Sequence, residues 1–223
     1  EDLLNACKIA FAAGWNSVKL YFMMGLPTET DEDLLGISKV VHNVIRAFRE
    51  SAVNKARGVK ISVGIAIFVP KAQTPFQWCG QIEKVEVQRR QKLLSDSLKI
   101  KNVSYSLHRF ESSFLEAVLA RGDRRLSFVI ERAWQSGCML DGWDENLRFD
   151  LWMQAFEDCG VDPSFYANRV FGEDEKMPWD HIFSGVNKSF LLKEYQRAQQ
   201  GAATPDCKQG CLGCGATELT GRA

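Results

Sequence analysis

Three cysteines near the end of the chain have the type and spacing to do chemistry. They read Cys207-x3-Cys211-x2-Cys214, with Gly210, Gly213 and Gly215 among and after them. Thiolates this close can wrap one metal centre, because glycine permits the tight turns and leaves N–H groups free to donate to sulfur. Three thiolates suit an iron–sulfur cluster with one open iron, or zinc completed by a fourth ligand from elsewhere. Cys138, Cys159 and His181 are candidates for that fourth place, and spacing does not select among them. The alternative is a flexible tail that binds nothing. The chain has seven cysteines, an odd number, and Cys7, Cys79, Cys138 and Cys159 are isolated. That pattern disfavours a secreted disulfide framework and predicts a reducing, cytoplasmic setting.

A second candidate is Met23-Met24-Gly25-Leu26-Pro27, which ends an apolar run and leads into Thr28-Glu29-Thr30. Gly25 lets a ligand approach the backbone. Pro27 biases Leu26 to an extended conformation. Thr28 or Thr30 can cap a following helix whose first turn is acidic, and whose N–H groups point outwards. Equally, these residues make a turn and a capping box with no ligand at all.

The elements that must position these residues alternate. Apolar spacing predicts a helix over 2–13, a strand over 17–24, a helix from Asp31 to about Glu50 and a strand over 59–69. A helix over 83–101 and a strand over 103–107 follow. Strands separated by one long helix lie parallel through a right-handed crossover. The first two strands cannot make a stable parallel sheet alone, so the missing neighbours are expected from residues before Glu1 or from a partner. Beyond residue 110 the chain reads as helices over 112–121, 124–136, 144–159 and 186–200, with a short turn starting at Asp162-Pro163.

At this point the sequence resembles a family. Met23 to Thr30, followed by Asp31-Glu32-Asp33, is similar to the fifth strand and loop of radical SAM enzymes, with Thr28 in place of the usual Gly. Ile65-Ala-Ile-Phe-Val-Pro70, with Thr74-Pro-Phe76 after it, resembles the sixth strand and its exit. Glu116 to Arg125, Asp141-Gly-Trp143 and the cysteine tail extend the resemblance to an uncharacterised radical SAM group. That group is often encoded beside, or fused to, a small partner domain. The resemblance implies an α/β chain: the C-terminal fragment of a partial (β/α)6 barrel, followed by a mainly α-helical extension. It implies barrel strands and helices over 1–80, a closing helix and strand over 81–110, a helical extension over 111–203 and a Cys-rich tail over 204–223. It implies S-adenosylmethionine and a 4Fe–4S cluster in the full-length protein. The cluster-binding loop would lie before Glu1, so this fragment is expected to be inactive alone. Met23, Met24, Gly25, Leu26 and Pro27, with Phe68 and Val69, would line the adenine side of the cofactor pocket, although Met23 and Phe68 fit ordinary core as well. The tail would be an auxiliary cluster or a zinc site, with Cys207, Cys211 and Cys214 as ligands.

Composition narrows the alternatives. Of 223 residues, 45% are hydrophobic and 25% charged, so a packed core is expected. Lys+Arg and Asp+Glu balance at 28 each, which disfavours a general polyanion-binding surface. No apolar run approaches the ~18 residues of a membrane span. The chain opens on Glu1 rather than Met, which reads as a cut. The competing function class is an RNA- or ribosome-associated binding module with a structural zinc tail. Among smaller features, Arg124 and Arg125 can clamp an anion, or Gly122 and Asp123 can simply stop one helix and cap the next. Asp141-Gly-Trp143 places a carboxylate and an aromatic at a cleft, or makes a tight turn. His42 reads as a surface residue, and His108 and His181 are weak site candidates. Four of six tryptophans lie between Trp134 and Trp179, which predicts an aromatic core there.

Overall fold

A computed structural model describes residues 1–217, and they divide into two compact units. The first comprises Glu1–Phe68 with Glu83–Phe110, and the second Val69–Ile82 with Glu111 onwards. The sequence reading ends its first segment at residue 80, whereas Val69–Ile82 groups with the helical part.

The first unit runs α1 (Asp2–Ala12), β1 (Ser17–Met24), α2 (Asp31–Ser51), β2 (Lys60–Ile67), α3 (Lys84–Ser97) and β3 (Val103–Leu107). The strands form one parallel sheet in the order β1-β2-β3. The third strand thus supplies one neighbour from within the chain, where a neighbour was expected from before Glu1 or from a partner. Side chains alternate across the sheet. Leu20 and Met24 of β1 and Ile61, Val63, Ile65 and Ile67 of β2 are buried on one face. Each such side chain contributes about 1.5–3 kcal/mol on leaving water. Leu34, Ile37, Val41, Val44 and Phe48 make the buried stripe of α2, at helical spacing. Phe48 meets Phe11 of α1 edge to face at 5.1 Å. Ser38 of α2 donates to the Ser97 carbonyl at the end of α3, at 2.9 Å.

The second unit is helical. It holds α4 (Phe110–Arg121, whose first residue counts with the first unit), α5 (Leu126–Gln135), α6 (Phe149–Asp158), α7 (Pro163–Ala167) and α8 (Lys188–Gln199). Short 3-10 turns cover Pro75–Trp78 and Cys207–Gln209. Among the described residues the whole chain has eight α-helices and three strands. None of these helices is long and apolar enough to cross a membrane. The expected helix over 144–159 begins only at Phe149, because 141–146 forms turns closed by Trp143 N–H to the Leu140 carbonyl and Asn146 N–H to the Trp143 carbonyl. The aromatic core is also narrower than expected. Trp152 and Trp179 are buried, but Trp134 and Trp143 are each 64% exposed.

Candidate functional site

The opposite face of the parallel sheet is bare. Lys19, Tyr21 and Met23 of β1 alternate with the buried residues, and register sets them beside Ser62, Gly64 and Ala66 of β2. Ser104 and Ser106 of β3 continue the row. Lys19, Tyr21, Ser62, Gly64, Ser104 and Ser106 line a shallow concavity of 300 Å³. Ser62 and Ser104 hydroxyls lie 3.2 Å apart. The Tyr21 ring rests against Gly64: a Cβ there would stand 3.0 Å from Tyr21 Cδ1. Glycine thus lets the aromatic ring approach the strand backbone.

At the carboxyl end of β1 the loop turns sharply. Gly25 has φ +84° and Thr28 φ +66°. The Glu29 N–H donates to the Leu26 carbonyl at 3.2 Å, with Pro27 and Thr28 at the corners, as in a type II turn. That turn needs a positive φ at its third residue. The glycine usual in the resembled motif suits the position better than Thr28 does. The Glu29 carboxylate reaches back to accept from Gly25 N–H at 2.7 Å and from Arg90 Nη1 at 2.6 Å. Arg90 also donates to Glu86 at 2.6 Å. Arg89 bridges Glu86 to Asp31 at the start of α2. Hydrogen bonds from Arg89 and then Arg90 hold the Glu86 carboxyl down at about 2.

This geometry assigns the loop's polar groups. Thr30 caps α2: its hydroxyl accepts from Asp33 N–H, and the Asp33 carboxylate accepts from Thr30 N–H. The N–H groups of Thr30, Asp33 and Gly25 are used inside the loop, which is the capping-box alternative at those positions. Of the residues expected to line a cofactor, Met23 is 45% exposed on the bare face, while Met24 is fully buried beneath the helices. Met24 meets the bare side through its backbone alone. Gly25 is buried, and Leu26 and Pro27 are half-buried. Phe68 is 8% exposed, and its N–H donates to the Met24 carbonyl at 2.8 Å. Val69 is equally buried and belongs to the helical unit.

The cysteine tail lies in the second unit. Cys207 and Cys211 are exposed and Cys214 is half-buried. Gly213 N–H donates to Cys211 Sγ at 3.4 Å. The Cys214 carbonyl accepts from Asn187 N–H at 2.8 Å and ties the tail to the start of α8. A Cβ on Gly215 would stand 2.5 Å from Asn187 Nδ2, so this position needs glycine. Among the described residues no three His, Cys, Asp or Glu side chains are gathered closely enough to hold a metal ion. Burial pushes the Cys138 thiol up. His181 is exposed.

The Arg121 to Arg125 segment follows the reading of a helix stop and cap, with α4 ending before Gly122. Arg121 ends α4 and is 1% exposed. It donates to the carbonyls of Tyr166, Ala167 (2.8 Å) and Arg169 (2.7 Å). Arg125 is held by Asp123, whose carboxyl its hydrogen bonds keep down at about 2. Arg125 flanks α5 without a side-chain cap of its own; Asp123 accepts Arg125 N–H at 2.9 Å, the bond of a capping side chain, as that reading expected. Sequence reasoning missed Gln77, 2% exposed, whose Oε1 accepts from Trp179 Nε1 at 2.7 Å. Its partner is 102 residues away, and no local signal marks it.

No family model matches the chain, and no solved structure matches it. It is similar to an uncharacterised protein of Methanocaldococcus jannaschii, 29% identical over 166 residues, which is 72% of this chain and 34% of that relative. The chain thus spans about a third of the relative's length.

Proposed function

We propose that this chain is the closing part of a radical SAM enzyme, and that its bare sheet face forms one wall of the S-adenosylmethionine pocket in the whole protein. The observation that carries this reading is the one-sided parallel sheet. Parallel strands are ordinarily covered on both faces. When helices pack on one face and the other is lined by Ser62, Gly64, Ala66, Ser104 and Ser106, closure into a partial barrel accounts for both. The Gly25 to Thr30 loop then lies at the carboxyl ends of the strands, where barrels place variable chemistry.

The residues fit a wall of such a pocket. Gly64 and Ala66 leave room, Met23 presents an exposed thioether and Tyr21 an aromatic face. The bound cofactor supplies the radical chemistry. This chain's residues shape and orient, and the Glu29–Arg90 pair holds the loop in one geometry. They do not supply the cluster loop: the Cys-x3-Cys-x2-Cys sequence follows α8, not a strand. The reaction's substrate is left open. The small partner domain implied by the resemblance belongs to the same proposal.

The test uses the longer protein that contains this chain, purified anaerobically, reconstituted with iron and sulfide and reduced with dithionite. It should split S-adenosylmethionine to 5′-deoxyadenosine and methionine, and the 223-residue chain alone should not. Turnover by the chain alone, or a longer protein with no Cys-x3-Cys-x2-Cys after a strand, sinks the reading. The tail is tested separately by iron and zinc content, with Cys211→Ala as control. A metal there must draw Cys207, Cys211 and Cys214 together, since binding and local folding are coupled. A brown preparation supports an auxiliary cluster, and a colourless zinc-loaded one supports the RNA- or ribosome-binding module.

A further inference from the structure

A concavity of 460 Å³ in the first unit is lined by cations and by no carboxylate. It opens at the amino ends of β2 and β3, the opposite end of the sheet from the Gly25 to Thr30 loop. Arg46 and Arg49 line it from α2, Lys55 from the loop before β2 and Lys101 from the turn before β3. All four residues are exposed, so a ligand can touch them in the folded chain. Among the described residues none of the four has a carboxylate partner. Arg46 donates to the Asn43 amide oxygen at 2.8 Å, which leaves its charge uncompensated. The acid next to Arg49, Glu50, is taken by Lys8 at 3.5 Å, and Asp96 is taken by Lys99 at 2.7 Å. Ile45, Phe48, Val59 and Ile100 give the concavity apolar walls, with Phe48 and Val59 buried.

The whole chain balances its charges, 28 against 28, so four unpaired cations at one concavity are a local excess. Arg46 and Arg49 stand three residues apart on α2, which sets their Cβ atoms about 5–6 Å from each other. Both long side chains can therefore meet one anionic group. Guanidinium and ammonium groups donate and cannot accept. A neutral or cationic ligand leaves their charge unanswered, and a carboxylate answers one charge of it. A phosphate monoester offers three acceptor oxygens and nearly two negative charges near neutral pH, and it matches the arginine fork. The apolar walls add a place for an organic body. The volume lies within the ~300–1,000 Å³ typical of small-molecule sites. The neutral chain disfavours an extended polyanion as the occupant.

We propose that this concavity binds a small organic phosphate monoester, with Arg46, Arg49, Lys55 and Lys101 taking the phosphate and the apolar walls taking the body. The inference is independent of the barrel reading. The test titrates the ¹⁵N-labelled full chain with phenyl phosphate near neutral pH. The amides at 45–49, 55–59 and 100–102 should shift saturably. Inorganic phosphate, which lacks the ring, should bind about tenfold more weakly. Benzoate, which lacks the second charge and the third oxygen, should be weaker by a similar factor, about tenfold. Phenol should leave these amides unmoved. Arg49→Gln should weaken phenyl phosphate about tenfold, in line with one hydrogen bond to a charged group. Lys176→Gln, which removes an exposed cation from the helical unit, should leave binding unchanged. Unmoved amides elsewhere report an intact fold, and if Arg49→Gln unfolds, Lys101→Gln on its separate turn should weaken binding instead. Absence of a saturable shift, or equal binding of benzoate or inorganic phosphate, overturns the proposal. Equal weakening by Lys176→Gln also overturns it, because general charge would then suffice. So does displacement of phenyl phosphate by polyuridylate at a lower phosphate concentration, which would make this face a nucleic-acid surface.

Discussion

Arg90 and Arg121 are each the buried arginine of their unit, and they are buried in opposite company. The Arg90 side chain is 12% exposed and lies among carboxylates, with Glu29 and Glu86 both at 2.6 Å. Arg121 is 1% exposed, meets only backbone carbonyls, and covers the Phe171 ring at 4.4 Å. Burial, with Arg169 nearby, pushes the Arg121 guanidinium down to about 10, so it is charged at neutral pH. Carbonyls at the end of a helix are left unpaired by the helix itself. Arg121 satisfies those of Tyr166 and Ala167 at the end of α7. In the first unit an arginine fixes one loop on an otherwise regular sheet. In the second an arginine stands where regular structure would have paired the backbone.

The comparison is sharpest under substitution. Arg121→Leu removes the donor from the Tyr166 and Arg169 carbonyls, while the Ala167 carbonyl keeps Gln81 N–H at 2.8 Å, and about 2 kcal/mol or more of the second unit's stability should go with it. Denaturant unfolding followed by hydrogen exchange at 163–171 measures it, and Arg121→Lys should recover only part, because an ammonium cannot fork across three acceptors. Stability unchanged in Arg121→Leu would falsify the carbonyl-capping role. Glu29→Gln should cost the first unit no more than that, about 2 kcal/mol, since Arg90 keeps Glu86. Faster exchange at 25–30, with no change at 163–171, is the expected pattern. Thr28→Gly acts in the other direction. Releasing a β-branched residue from φ +66° should stabilise the first unit by about 1 kcal/mol. A lower midpoint in that variant would mean that Thr28 makes a contact worth more than its strain.

Acid produces the mildest separation. Arg89 and Arg90 hold Glu86 at about 2, below its ordinary 4.5. Hydrogen bonding to Arg89 likewise lowers Asp31. A carboxylate held below its unfolded value stabilises the fold above that value and loses the contribution as pH falls through the folded one. The Asp31–Arg89–Glu86–Arg90 chain should therefore loosen between about pH 4.5 and 2. The Arg121 hydrogen bonds contain no group that titrates there. Amide exchange at 29–33 should rise across this window before that of Phe171, whose N–H donates to the Trp78 carbonyl.

The two arginines also show what could be read in the sequence. Glu29, Asp31 and Asp33 announce a helix start, and the strand before them has the bounds its apolar run predicts, Ser17–Met24. Local spacing sufficed because the capping box closes within four residues. In the sequence Arg121 is only the last residue of a helix over 112–121, since the carbonyls that hold it lie some 45 residues on. Asp141 was marked as a carboxylate beside an aromatic, but the neighbouring Trp143 is exposed and the indole that shares its cavity is Trp152. Trp134 was counted towards the core because a tally of aromatics carries no direction. On α5 the buried stripe is Leu126, Val129 and Ala133, and Phe128, Ile130 and Trp134 face out.

The strand order has a practical consequence for handling the chain in solution. Among the described residues β2 lies in the middle, and β1 and β3 each have one neighbour. Their outer sides offer rows of N–H and C=O groups that another copy can pair with, and such edges template self-association. Lys19 is the charge on the β1 edge strand, while β3 reads Val-Ser-Tyr-Ser-Leu and carries none. Association between copies should therefore rise with concentration and begin along β3, where a lysine in place of Ser104 is the first change to try for a well-behaved preparation.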